Sequence, residues 1–128
     1  MSMGNDLTTE AVRMAMGMQE LRAENASRNI ALASLPGARA SRLDFGSSMG
    51  LLEQAAAASP DKASELMNAL SEAASQPLAS ESLDAAGAGI NLDSEVANMA
   101  SANLEYQALT ESLDRHFGLM RLAIIGRN

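Results

Sequence analysis

Residues 93–125 read DSEVANMASANLEYQALTESLDRHFGLMRLAII, and within them Val96, Met99, Asn103, Tyr106, Thr110, Leu113, Phe117, Met120 and Ile124 follow in unbroken steps of three and four. That spacing holds a seam on one side of an α-helix, as in a coiled coil. Asp93, Ser94 and Glu95 put a cap and negative charge at the start, and Arg115, Arg121 and Arg127 lie toward the end, both matched to the helix dipole. At 1.5 Å per residue the helix is about 50 Å long. A rod of that length cannot bury its seam on itself.

The partner within the chain is a second helix near the amino end. Leu7, Ala11, Met14, Met18, Leu21 and Asn25 repeat the same alternating steps, which predicts a helix over residues 8–32 with Asp6 or Thr8 as its cap. Pro36-Gly37 ends it, because proline disfavours helical geometry in the residue before it and glycine permits a turn. Met14, Met18 and Leu21 then face Leu113, Phe117 and Met120, or Tyr106, according to register. Asn25, Asn103 and Thr110 are polar seam positions of the kind that fix alignment at some cost in stability.

Between the helices the composition changes. Residues 51–89 are dominated by Ala, Ser, Glu, Gly and Leu, including QAAAA at 54–58 and AAGAG at 85–89. Such a stretch forms short helices but offers little bulk to pack. Ser59-Pro60-Asp61 reads as cap, first helical position and acidic first turn, so a helix is expected over 60–74, stopped before Pro77, with a loop over 80–89. The expected fold is all-α: long N- and C-terminal helices paired as an antiparallel coiled-coil-like hairpin, with a variable Ala-rich middle of short helices and loop. The divisions fall at 1–45, 46–90 and 91–128.

Composition narrows the function classes. Of 128 residues, 47% are hydrophobic but only 2% aromatic (Phe45, Tyr106, Phe117), so Ala, Leu and Met supply the buried surface and strands are disfavoured. The net charge of -7 is concentrated at 46–95, where eight acids meet one base, Lys62. Without a basic surplus or aromatic platforms, a nucleic-acid binder is not expected. No apolar run is long enough to span a membrane, and Asn5, Asp6, Glu10 and Arg13 interrupt the place where a cleaved signal peptide would carry its apolar stretch.

Nothing in the chain assembles a reaction centre. There is no cysteine, and the lone His116 has no second ligand or nucleophile partner, so no metal, cofactor or catalytic residue is expected. Asp93 and Glu95 fall where a helix start wants acids and are read as capping residues, not as paired catalytic carboxylates. Gly87 and Gly89 lack the spacing and lysine of a phosphate loop, and Asn25-Ala26-Ser27 is read as a chance sequon. Met16 lies off the seam of Met14 and Met18, so packing and an exposed contact are both open to it.

Two segments resemble a known family. Asn29-Ile30-Ala31, Pro36-Gly37, Ala40 and Asp44-Phe45 are similar to the amino-terminal signature of bacterial flagellar rod and hook proteins, where an Asn-Ile-Ala-Asn run breaks at Thr-Pro-Gly-Tyr and continues to an Asp-Phe. Leu92-Asp93, Glu95, Ala100, Leu104, Tyr106-Gln107 and the apolar positions through Met120 and Ile124 resemble that family's carboxyl-terminal helix. Leu32 stands where the second Asn is expected, Leu35 in place of Thr, Ala38 in place of Tyr, and Asn103 one place from the usual Asn. The matched parts cover about half the chain, and the likeness is to the short proximal-rod members.

The resemblance implies a structural subunit of the proximal rod that polymerises through its terminal helices. Its implied partners are other rod subunits, membrane-ring and rod-adaptor proteins and the flagellar type III export apparatus. Export without a cleaved signal would place it in the periplasmic rod. The implied assembly interface is Met14, Met18, Leu21, Asn29, Ile30, Val96, Met99, Tyr106, Leu113, Phe117 and Met120. Phe45-Gly46-Ser47-Ser48-Met49 resembles the Phe-x-x-x-apolar export element of such subunits, with Phe45 and Met49 as the recognised residues; anchoring of Phe45 in the core is the other reading. Two rivals stand beside it. An acidic helical-hairpin adaptor or secretion chaperone would hold a partner helix in a groove. A small secreted hairpin with a Trp-x-Gly turn is countered by the lack of Trp.

Overall fold

The computed structural model describes residues 3–126, with side-chain surroundings given for residues 6–126. Four helices and two short strands run in the order α1 (Met3–Leu32), β1 (Ser41–Asp44), α2 (Gly46–Ala56), α3 (Ala63–Ala74), β2 (Ser80–Leu83) and α4 (Leu92–Ile125). A 3₁₀ turn at Pro60–Lys62 leads into α3. The chain is therefore mostly helical, with long first and last helices packed together. The strictly all-α expectation is corrected by the strands, which pair antiparallel with Ser41 opposite Leu83 and Asp44 opposite Ser80.

The helix boundaries follow from local chemistry. α1 breaks after Leu32 into turns that reach Pro36, with Gly37 at φ +78°, a conformation that glycine adopts without a Cβ clash. It begins at Met3, ahead of the expected caps at Asp6 and Thr8. α4 is capped by Asn91, whose side chain accepts from the Ser94 N–H at 3.1 Å; Asp93 and Glu95 lie inside the first turn. Ser80–Leu83 form β2 where a loop was expected. This short Ser/Glu stretch is weak as an isolated strand and is held by pairing with β1.

The seam expected of the first helix is real, but it meets a different partner. Leu7, Met14 and Met18 are buried in one cluster with Ala63, Leu66 and Leu70 of α3, and Leu51, Leu52 and Ala55 of α2 pack on it. The Ala-rich middle thus supplies half of the buried residues of this cluster. Leu78, which also packs on this cluster, reaches over Gly17, where a Cβ would sit 3.0 Å from its Cδ1.

α4 lies on the adjacent face of α1 and runs antiparallel to it. Arg22 pairs with Glu105 at 2.8 Å, Gln19 and Ala23 border Asn103 and Tyr106, and Asn25 and Ala26 border Glu95 and Asn98. The matching heptad on α1 is Val12, Met16, Gln19, Ala23, Ala26 and Ile30, all half-buried or buried. Met16 is therefore on a second seam. On α4 the covered line is Glu95 and Ala102, both buried, with Met99, Leu109, Leu113, His116 and Met120 half-buried. It shares Met99, Leu113 and Met120 with the expected seam, but is displaced by one residue at Val96, Asn103 and Thr110. Ala102 is fully buried and Ala26 nearly so, and small residues at these points let the helix axes lie close.

The far end of α4 is thinly covered. Leu119, Leu122, Ile124 and Ile125 are each more than 60% exposed. Local opening costs least where few apolar contacts must break. Backbone amides of residues 119–125 are thus expected to exchange with deuterium well before those of 95–106, as peptide-level mass spectrometry can resolve.

Candidate functional site: the hairpin clamp and the outer face of α4

The polar side chains that the fold gathers lie where β1 and β2 meet the end of α1 and the start of α4. Asn29 is fully buried and holds Ser41 in both directions, accepting the Ser41 N–H at 2.9 Å and donating to its carbonyl at 3.1 Å. Asn25 donates to the same carbonyl at 2.9 Å, and the Ser41 hydroxyl donates to Glu81 at 2.6 Å. Such an asparagine substitutes for a neighbouring strand, satisfying backbone groups that β1 would otherwise bury unpaired.

Arg42 carries the clamp across to α4. Its guanidinium donates to Asp84 through Nε at 3.1 Å and Nη2 at 2.9 Å, and to Glu95 through Nη1 at 2.9 Å. Arg39 adds a bond from Nε to the Asp84 carbonyl at 2.7 Å. The Glu95 side chain is only 2% exposed, so it is a buried ion-pair partner and not the capping acid expected from its position. The hydrogen bonds from Arg42, with its charge, hold the Asp84 carboxyl below the usual carboxylate range, and the Arg42 pKa rises in turn, chiefly through Asp84.

A cleft of about 220 Å³ borders this clamp, lined by Arg22, Asn25, Arg42, Phe45, Glu95 and Asn98. Asn25 Oδ1 and His116 Nε2 are buried without a protein partner. Among the described residues no group of three or more His, Cys, Asp or Glu converges as a metal site, and no helix is long and apolar enough to cross a membrane.

The residues named from sequence as an assembly interface divide by location. Met14, Met18 and Asn29 are buried within the chain, while Leu21, Ile30, Met99, Leu113, Phe117 and Met120 are half-buried. Val96 is 46% exposed and Tyr106 37% exposed, so these two remain free to meet a neighbour. The segment Phe45–Met49 is the opening of α2 and not an extended element: Met49 N–H donates to the Phe45 carbonyl at 2.8 Å. Phe45 packs against the core, whereas Met49 is exposed.

This placement makes the two readings of Phe45 separable. Phe45→Ala is expected to cost about 1–2 kcal/mol, less than for a fully buried Phe, seen as an earlier urea midpoint. Met49→Ser should leave stability within about 0.5 kcal/mol. The export element implied by the resemblance expects a loss of secretion on Met49→Ser at unchanged stability; without such a loss the segment is assigned to packing alone.

Arg42, Asp84 and Glu95 are not legible as a unit in the sequence, since they are separated along the chain and only strand pairing and helix packing bring them together. The outward line of α4 is legible. Leu119, Leu122 and Ile125 recur every three residues on the side away from the buried seam, a pattern that was present in the sequence.

Together these features define a class: a helical protein in which a two-stranded clamp ties two long antiparallel helices, leaving apolar residues of the last helix uncovered. Comparison of the chain with protein-family models, curated proteins and solved structures finds no match.

Proposed function

We propose that this chain is a structural subunit of the proximal rod of the bacterial flagellar basal body, of the FlgB type, which polymerises through its first and last helices to form part of the drive shaft. The observation that carries the reading is the side-by-side packing of α1 and α4, with Val96, Leu104, Tyr106, Leu119, Leu122 and Ile125 of α4 left exposed. Apolar side chains in such number on one helix favour burial against another chain. A subunit of a helical tube offers unlike surfaces to neighbours on different sides, so that the contact propagates.

The resemblant segments support the same reading through their place in the fold. Asn29 of the Asn-Ile-Ala run secures Ser41, and Asp44-Phe45 leads from β1 into α2. The motif residues thereby set the turn that returns the chain from the end of α1. In the basal body the partners are other rod subunits together with the ring, adaptor and export proteins.

Deleting the gene from its source bacterium and isolating hook–basal bodies tests the function. Loss of motility, absence of a hook and recovery of a tagged copy in purified basal bodies are expected. A motile deletion strain, or a tagged chain absent from basal bodies and recovered in a discrete complex with one soluble client, overturns the rod reading and favours the acidic adaptor or chaperone.

A further inference from the structure

The outer face of α4 carries a spacing pattern of its own. Leu104, Ala108, Glu111, Arg115, Gly118 and Leu122 follow in alternating steps of four and three, each two positions on from a residue of the line that meets α1. Two positions turn an α-helix by about 200°, so this second line points away from α1. Gly118 is half-buried and the other five are exposed, Leu104 by 66% and Leu122 by 65%.

The line is self-complementary about residue 113. Leu104 mirrors Leu122, Ala108 mirrors Gly118, and Glu111 mirrors Arg115 with its opposite charge. Among the described residues the side chains of Glu111 and Arg115 have no hydrogen-bond or ion-pair partner. Nothing within the chain requires Gly118 either, since a Cβ there would meet nothing within 4 Å.

We propose that two copies of this chain pair along this face, with their α4 helices antiparallel about a two-fold axis level with residue 113. Leu104 of each copy then meets Leu122 of the other, Ala108 and Gly118 let the helices come close, and Glu111 meets Arg115 twice. The paired stretch from 104 to 122 is about 27 Å long. A parallel pair would set Glu111 against Glu111 and Arg115 against Arg115, so the charges choose the direction. Of the flanking charges, Glu105 is already held by Arg22 at 2.8 Å, which leaves Asp114 and Arg121. Each copy thus brings two acids and two arginines to the contact. Asp114 lies beside the axis and faces its own counterpart at the wet edge, a repulsion that weakens the pair. The contact joins like surfaces and closes as a dimer, so it does not rest on the rod reading. A rod subunit would have to leave this pair before its α4 met rod neighbours.

Sedimentation of the full chain across protein concentration tests the pair, with circular dichroism as the control for folding. Wild-type chain is expected to pass from monomer to dimer and no further. Leu122→Asp, Glu111→Arg and Arg115→Glu should each weaken pairing at least tenfold. The double variant Glu111→Arg with Arg115→Glu should restore it, and Asp114→Asn should tighten it. The fast amide exchange expected of residues 119–125 belongs to the monomer and should slow as the pair forms. The decisive sample is a mixture of Glu111→Arg chain with Arg115→Glu chain. The first presents arginine at both central positions and the second glutamate, so the two should form a 1:1 pair at least tenfold tighter than either forms with itself. Direction is read with cysteines, which the chain lacks. Ala108→Cys chain mixed with Gly118→Cys chain should oxidise under glutathione disulfide mainly to the mixed dimer. A wild-type chain that stays monomeric at all concentrations, a charge-swapped mixture no tighter than its components, or disulfides formed by each cysteine variant with itself in preference to the other overturns the proposal. Pairing in a chain absent from basal bodies would sustain this contact while removing the rod reading; a monomer present in basal bodies would do the opposite.

Discussion

Arg42→Ala is expected to destabilise the chain by about 3 kcal/mol, measured as a shift in urea unfolding. The substitution strands the Glu95 carboxylate, whose side chain is 2% exposed, without the guanidinium that balances it. Breaking a buried pair on one side typically costs about 3–5 kcal/mol, and the low end applies because Arg42 itself is 43% exposed. A second change, Glu95→Leu, removes the orphaned charge and should recover most of the loss, since an apolar residue suits that position once no cation faces it. A single-variant loss below about 1 kcal/mol would mean that water reaches Glu95 and that the clamp contributes little.

The same clamp sets a pH dependence. Asp84 has its carboxyl held below the ordinary range, first by the hydrogen bonds from Arg42 and then by its charge, so the folded chain favours the ionised form more than the unfolded chain does. Its contribution is complete above the usual aspartate value of about 4 and is lost as pH falls through the lowered folded value. Arg42→Ala removes the cause. Stability against pH in that acid window should therefore fall less steeply for the variant than for the parent.

Leu70→Ala is expected to cost about 3 kcal/mol in the same measurement, whereas Glu72→Ala two residues away should change stability by no more than about 0.5 kcal/mol. Leu70 is 2% exposed and sits in the cluster with Leu7, Met14 and Met18, while Glu72 is exposed on the other side of α3. A helical body this short of aromatic bulk has few large side chains to lose, and total stabilities of small domains are only about 5–15 kcal/mol. Equal and small effects at both positions would show that α3 is not part of the cooperative core.

The contrast between Leu70 and Glu72 also marks how far the sequence can be read. The two long helices follow from residue spacing and breakers alone, because three- and four-residue steps have one geometric meaning and Pro36-Gly37 cannot continue a helix. α3 was likewise legible from Ser59-Pro60-Asp61 and the stop before Pro77. The opening of α2 at Gly46 was not, since Gly-Ser-Ser is poor helix-forming sequence and is held by Phe45 packing on the core and by the Ser48 hydroxyl donating to the Leu78 carbonyl.

By itself the sequence determined the helical character of the chain, the end of α1, the extent of α4 to within a residue and the acidic, Ala-rich nature of the segment between them. Only the tertiary structure decided which face meets which. An apolar seam states that a helix must bury one side but carries no name for its partner, so Met14 and Met18 could be assigned to α4 from sequence and yet pack on α3. The second seam of α1, built from Met16, Gln19, Ala23 and Ala26, is too small and polar to stand out in a hydrophobic pattern, and it becomes an interface because small residues admit α4 closely. The clamp of Asn29, Ser41, Arg42, Asp84 and Glu95 lay beyond any local pattern. Its members are up to 66 positions apart from Asn29 to Glu95, and hydrogen bonds between residues so distant exist only after the strands have paired and the helices have packed.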